Sequence, residues 1–415
     1  MNQYLQDPYL DSMNFLNEAC LLYPDAISFG SGRPKEDFFH LDDVVSGVKR
    51  FAKNLNNGKP LDSLGQYNMT KGIINDSITK LLKNDEGIIV SPEDIIITDG
   101  AQEAMAILID TLFEKNDVLI VTDPSYIGFI GYAKIAGIDI RVVKRTETGI
   151  DFNDLEYIIK QVQSENKKVT ALYEVPDFHN PTGVSMPVEE RKTLLSFAQK
   201  YDFYIVEDNP YGYYCYDGER LPTLKSLDPC KKVIYIGSMS KSVFPSLRIG
   251  YLVVDQEEMI NGEKIKLSEA CKKVKSFMTV NTSTLLQAML GTILAENDYS
   301  LINYCADKVA YCKNNRDVLA EVIESEFDFC GEWKKPSGGY FTILNIPFEP
   351  TDAHIFQAAR DYGVIVCPLK MLCMQPENGK NAIRLSFSQL TPEDIKSGML
   401  RLKKFLIDTM NKKLY

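Results

Sequence analysis

The stretch Ser238-Met239-Ser240-Lys241-Ser242-Val243-Phe244-Pro245-Ser246-Leu247-Arg248-Ile249-Gly250 follows directly on the apolar run Val233-Ile234-Tyr235-Ile236. A lysine at that place can serve as a Schiff-base amine. An amine with a pKa of about 10.4 is protonated and inert near neutrality, so a nucleophilic lysine needs desolvation, a neighbouring cation, or a cofactor that takes it up as an imine. Arg248 supplies fixed positive charge suited to a phosphate, and Ser238 and Ser240 offer hydroxyl donors to the same anion. Taken alone, Ser-x-Ser-Lys is also the composition of a solvated turn.

Two further loops remove that ambiguity. Phe203-Tyr204-Ile205-Val206 reads as a buried strand running into Glu207-Asp208-Asn209-Pro210-Tyr211, which puts Asp208 and Tyr211 at its carboxyl end, where open α/β sheets bind ligands. Upstream, a strand over Val169 to Val175 leads into Pro176-Asp177-Phe178-His179-Asn180-Pro181-Thr182-Gly183, so Asn180 occupies an equivalent loop. Asn-Pro-Thr-Gly by itself is a turn sequence. Three successive strand ends carrying Asn, then Asp with Tyr, then Lys with Arg form one constellation.

With these residues the chain resembles, over nearly its whole length, the fold type I, pyridoxal-phosphate-dependent class I/II aminotransferases. The resemblance is to the branch with the 2-aminoadipate, kynurenine and aromatic amino acid aminotransferases. It implies pyridoxal 5'-phosphate as cofactor, with Lys241 forming the internal aldimine and Asp208 binding the pyridine nitrogen. It also implies Asn180 and Tyr211 on the phenolic oxygen, and Arg248, Ser238 and Ser240 on the phosphate. The chemistry suits these residue types. A carboxylate beside the ring nitrogen keeps it protonated and electron-accepting, donors on the phenolic oxygen stabilise its anion, and a displaced lysine amine can carry a proton as general base and acid.

Three upstream motifs extend the resemblance. Ile95-Ile96-Ile97-Thr98 reads as a strand and Gly100 onward as a helix, whose exposed N–H groups at Gly100, Ala101 and Gln102 suit a phosphate. After the strand over Val118 to Thr122, Tyr126 matches the family's aromatic that stacks on the pyridine ring. In Leu64-Gly65-Gln66-Tyr67 the tyrosine matches the one that reaches the phosphate of the neighbouring subunit, which implies a homodimer with shared active sites.

For the substrate, a small-molecule amino acid and its keto acid acceptor, Arg384 in the strand-like Ala382-Ile383-Arg384-Leu385-Ser386-Phe387-Ser388 matches the family's α-carboxylate clamp. Gly32 and Arg33, in Ile27-Ser28-Phe29-Gly30-Ser31-Gly32-Arg33-Pro34, lie in the substrate-side glycine loop, with Asn180 facing the same substrate. Arg33 replaces a commoner small or apolar residue. Two readings stand: it grips a distal anionic group of the substrate, or it pairs with Glu36 or Asp37 at the surface. Other departures are Cys367-Pro368-Leu369-Lys370-Met371 in place of Pro-Gly-x-x-Phe, and Asp177 in place of Asn. Asp177 and His179 flank the cofactor loop, where a supporting structural role is expected.

Composition excludes several other classes. A formal charge of -11 disfavours nucleic acid and anionic membranes, whose binding is driven by Lys and Arg. No run approaches the roughly 18 apolar residues of a membrane span, and the first residues lack the basic start and apolar core of a signal peptide. Nine scattered cysteines and three histidines, without Cys-x-x-Cys spacing, point to reduced thiols in a cytoplasmic protein and to no metal centre.

The chain of 415 residues with 45% hydrophobic content accommodates two domains. The expected architecture is α/β: a mostly parallel sheet with helices on both faces over residues 46–295, and a smaller α+β domain from 1–45 and 296–415. In the second, a long polar helix runs from after Gly291 to about Glu326 and a last helix starts near Pro392. The expected function is an aminotransferase of amino acid metabolism or biosynthesis. The alternatives are other pyridoxal-phosphate chemistry on the same scaffold (an oxygen-dependent oxidase or hydroxylase, an eliminase, a carbon-bond-forming enzyme) and a cofactor-sensing regulator, for which no basic helix-turn-helix extension is read.

Overall fold

The computed structural model describes residues 2–260 and 262–412. Its strands in chain order are β1 (Ile27–Ser28), β2 (Ile95–Thr98), β3 (Asp117–Asp123), β4 (Asp139–Lys144), β5 (Lys168–Glu174), β6 (Tyr204–Asn209) and β7 (Val233–Ser238). These are followed by β8 (Gly250–Val253), β9 (Glu257–Ile260), β10 (Glu263–Lys266), β11 (Phe341–Asn345), β12 (Val364–Ile365), β13 (Cys367–Pro368) and β14 (Ala382–Ser386). A seven-stranded sheet has the order β2-β8-β7-β6-β5-β3-β4. Within it β8 runs antiparallel to β2 and β7, and the other neighbours are parallel.

Strands covered by helices on both faces need apolar residues at every position rather than at alternate ones. That is why Ile95-Ile96-Ile97 and Val118-Leu119-Ile120-Val121 read as unbroken runs; all seven are fully buried. Each such side chain contributes about 1.5–3 kcal/mol of transfer free energy. One face packs against Gly100–Leu112, Ile127–Ile135 and Leu267–Met278. The other packs against Phe152–Ser164 and Val188–Tyr201.

The parallel strands all end at one edge of the sheet. Because β8 runs the opposite way, its start lies at that edge too: Gly250 pairs with Ser238 at the end of β7 and with Thr98 at the end of β2. The strand-end loops that carry Gly100, Tyr126, Asn180, Asp208 and Lys241, together with Arg248 before β8, are therefore gathered into one place by topology alone. The turn at Gly100 requires a glycine. Its φ is +74°, and a Cβ there would sit 2.5 Å from the Arg248 guanidinium.

A second layer closes over this edge. β11, β14 and β13 form an antiparallel sheet whose core is shared with Ala306–Glu326, Asp352–Tyr362 and Pro392–Lys412. β1 pairs with β12, which brings the glycine-rich segment after Ser28 against β14, where the Ser386 N–H donates to the Phe29 carbonyl (2.8 Å). The expected single helix from Gly291 to Glu326 is two helices. Thr284–Glu296 stops where Asp298 and Tyr299 turn left-handed, with φ of 52° and 56°. There the Asn297 side chain bonds the Ile293 carbonyl (2.8 Å), competing with helix continuation, and Ala306–Glu326 begins afresh. The expected strand over Ala382–Ser388 ends at Ser386 and is buried on both faces rather than alternating.

Candidate active site

Two adjoining cavities of about 350 and 330 Å³ lie between the strand-end loops and the second layer, and they share Gly32, Tyr126, Asn180 and Arg384. The inner one is faced by Ala101, Gln102, Asp208, Tyr211, Ser238, Ser240, Lys241 and Arg248. The outer one is walled by Cys20, Tyr23, Pro24, Ala26, Ser28 and Arg33 from the N-terminal segment, and by Ser125, Ile127 and Leu372. All but two of the sequence-read site residues meet here. Gly100 sits just behind the inner wall as the turn before Ala101, and Tyr67 lies elsewhere, 78% exposed, on an irregular stretch after Leu61–Gly65.

Lys241 belongs to the short helix Met239–Ser242, entered through Ser238, whose hydroxyl accepts the Ser240 N–H (3.3 Å). The helix is held at its other end too, because the Tyr214 hydroxyl donates to the Lys241 carbonyl (2.7 Å) and the buried Lys308 ammonium to those of Ser242 and Val243. The Lys241 amine donates to the Gly32 carbonyl (2.7 Å). Burial, then the Arg384 and Arg33 guanidinium groups, bring its pKa down to about 8, so a useful fraction is free amine near neutrality.

Asp208 is buried at the end of β6. One carboxylate oxygen accepts the Tyr173 hydroxyl (2.8 Å), whereas Oδ1 has no partner among the described residues, and the residue lines the inner cavity. Burial raises its pKa to about 7 against the pull of the Tyr173 hydrogen bond. Leaving a buried carboxylate oxygen unpaired costs a kcal/mol or more, a cost that a bound donor would remove. Tyr211 is buried too, and its ring packs against Tyr340 and Phe341.

Arg384, 7% exposed, does not point to solvent. Its guanidinium lies 4.3 Å from the Phe341 ring centroid and donates to the Asn180 Oδ1 (2.9 Å) and the Gly30 carbonyl (2.6 Å), while Nε lacks a partner. Gly32 is required opposite it, since a Cβ would meet the Phe341 ring at 2.3 Å. Also on the inner cavity, Arg248 donates to the Asp99 carbonyl (3.1 Å) beside the opening of the helix Gly100–Leu112. Tyr126, its hydroxyl hydrogen-bonded to Gln102 (3.3 Å), forms part of both cavities.

Of the residues left open by the sequence, Asp177 is bound by Arg191 through both oxygens (2.5 and 3.1 Å) behind the loop. His179 is fully buried, bonded to Thr182 (3.0 Å), and kept neutral by burial and the nearby Arg145 guanidinium. Both brace the Asn180 loop. Arg33 is exposed at the mouth of the outer cavity, its carbonyl anchored by the Ser388 hydroxyl (2.7 Å), while Asp37 pairs with Lys35 (3.1 Å). Three contributors escaped the sequence reading. Gly30 acts through its backbone carbonyl, which carries no residue signal, and Tyr173 and Phe341 look like ordinary core aromatics.

Comparisons with known proteins identify the family and the fold. Residues 24–402 match the family model of aminotransferase class I and II. The chain belongs to that family. It is 38% identical over 407 residues to the (S)-3,5-dihydroxyphenylglycine transaminase of Amycolatopsis orientalis, covering 96% of this chain and 92% of that one. Among solved structures, an archaeal alanine:glyoxylate aminotransferase superposes with a TM-score of 0.86 at 27% identity, over 98% of this chain and 96% of that one. The kynurenine aminotransferase of Pyrococcus horikoshii, solved with PMP and kynurenine, superposes at 0.83 and 27% identity, over 95% and 94%. The α/β architecture expected from the resemblance is thus the one formed, and the family assigns an aminotransferase activity.

Proposed function

We propose that this aminotransferase works with pyridoxal 5'-phosphate, passing the amino group of an α-amino acid to a 2-keto acid. The observation that carries the reading is the juxtaposition in one cavity of a lysine amine of depressed pKa and a buried carboxylate with an unpaired oxygen. The residues fit the cofactor. Asp208 Oδ1 would take the protonated ring nitrogen, Tyr211 and Asn180 the phenolic oxygen, and Tyr126 a ring face. Gly100, Ala101, Gln102, Ser238, Ser240 and Arg248 would hold the phosphate. When bound, the cofactor supplies an aldehyde carbon that condenses with amines and a ring that accepts electrons from the substrate Cα.

The chain's own part is to bind, orient and move a proton. Arg384 offers two parallel N–H groups to the substrate α-carboxylate, and Nε, now without a partner, adds a third donor. With the carboxylate held there, the Lys241 Nζ takes the proton from Cα and returns it as general acid. The aromatic wall of Tyr126, Tyr211 and Phe341 keeps water from these groups.

We propose a homodimer in which Tyr67 reaches the phosphate of the partner's site. Its support is the exposure of large apolar side chains on this segment, Tyr67 (78%) and Met69 (64%). A cytoplasmic location suits nine cysteines that are all free thiols.

The reaction is tested without oxygen. One equivalent of amino acid without acceptor should convert the bound cofactor to its amine form and release one keto acid, and an added keto acid should restore it. No amine form with any accepted amino acid, or product only with oxygen consumption, transfers the chain to the oxidase or eliminase alternatives.

A further inference from the structure

Asp208 does not stand alone, and the residue behind it is on a different strand. β5 and β6 are parallel, with Tyr173 paired to Val206 and Glu174 to Glu207. Side chains alternate along a strand, so Tyr173, Val206 and Asp208 point to the same face. A long aromatic side chain spans the diagonal to the residue two further along the neighbouring strand. Tyr173 does this: fully buried, with its ring 4.6 Å from that of Phe129, it places its hydroxyl 2.8 Å from Asp208 Oδ2.

The bond runs one way. A phenol beside an ionised carboxylate can only donate, and burial together with the Asp208 charge raises the Tyr173 pKa well above its ordinary value, so the hydroxyl keeps its proton. With Oδ2 occupied, Oδ1 is the carboxylate oxygen left without a partner among the described residues. It also opposes the desolvation that would otherwise neutralise the carboxylate.

Building on the proposed cofactor, we infer that Tyr173 is a positioning residue that orients the Asp208 carboxylate and sustains its charge, and through it the protonation of the cofactor ring nitrogen. It is fully buried and lines neither cavity. Its effect must therefore pass through Asp208, whereas a purely structural tyrosine would act whatever stood at 208.

The test is a double-mutant cycle on the full-length enzyme, read by the dissociation constant of pyridoxal phosphate and by kcat and KM. Tyr173→Phe should weaken cofactor binding and lower kcat, each by about tenfold or more, as expected for a lost hydrogen bond to a charged group. KM for the amino acid should change less than about threefold. In the Asp208→Asn background the same substitution should change both constants less than about threefold. Equal effects in the two backgrounds, or none in either, overturn the inference. Should the phenylalanine variant not fold, Tyr173→3-fluorotyrosine keeps ring and hydroxyl and makes the donor more acidic. It should tighten cofactor binding, and an unchanged constant overturns the inference too. Wild-type enzyme that binds no pyridoxal phosphate would instead bring down the proposed function itself.

Discussion

On the Lys241 side of Arg384, the polar groups come from the ends of strands β2, β3, β5, β6 and β7 and from the start of β8. On the Tyr23 side, the wall comes from the N-terminal segment around Cys20 to Arg33, the turn at Leu372, and Ser125 to Ile127 after β3. The inner compartment inherits its geometry from one hydrogen-bonded sheet, so its groups cannot move independently. The outer one is assembled from segments far apart in the chain, joined by β1 on β12, by the Ser386 N–H on the Phe29 carbonyl (2.8 Å) and by the Ser125 N–H on the Leu372 carbonyl (3.3 Å). Functional groups belong on loops positioned by a rigid scaffold, and a wall built from separate segments can vary without disturbing that scaffold.

Substitutions in the inner compartment should therefore strike turnover, with little dependence on which amino acid is offered. Lys241→Ala has the largest expected effect: complete loss of turnover and of the absorbance of the lysine-linked cofactor, because among the described residues no other lysine faces either cavity. A borohydride-reducible link surviving in this variant would remove Lys241 from its role. Asp208→Asn should retain cofactor yet lose several orders of magnitude in kcat, since a neutral amide no longer holds the ring nitrogen protonated. Near-normal turnover would show that the inner compartment does not work through that carboxylate.

Arg384 stands between the compartments and should behave accordingly. Arg384→Ala is expected to raise KM by about tenfold or more through a lost charge-assisted bidentate contact, with a smaller effect on kcat. The measurement is steady-state kinetics over several amino acids. A KM that stays put for all of them would move the α-carboxylate to another cation.

The same division explains what was legible in the sequence. Asn180, Asp208, Tyr211 and Lys241 could be read because they lie at or just beyond the ends of largely apolar strands, with Arg248 a few residues past Lys241, and the sheet topology then brings them together. Arg384 was legible by its strand, but the bonds that aim it, to the Gly30 carbonyl and Asn180, are tertiary. Tyr173 was hidden because a buried aromatic in mid-strand is what a core strand ordinarily contains, and only the β5–β6 register reveals its partner. The outer wall was scarcely legible, since Tyr23, Ser28 and Leu372 meet through pairings between segments far apart in the chain. The break at Asn297 was missed because the apolar pattern on either side continues in phase.

Arg33 gives the finest test, because it belongs to the outer compartment yet acts on the inner one. Its charge, after burial and Arg384, helps to depress the Lys241 amine to about 8. A cation nearby disfavours the ammonium, so the free amine is about a tenth of the total near pH 7 and predominates above pH 8. In cofactor-free enzyme, the rate of recombination with pyridoxal phosphate should accordingly rise with pH and level off above that midpoint. Arg33→Ala removes one cation, so the midpoint should move upward, and at pH 7 recombination should slow by a factor of a few. If Arg33 also grips a distal acid, the same variant should weaken dicarboxylic substrates more than neutral ones. An unmoved midpoint with equal losses for both substrate types would return Arg33 to a surface role and leave the two compartments electrostatically separate.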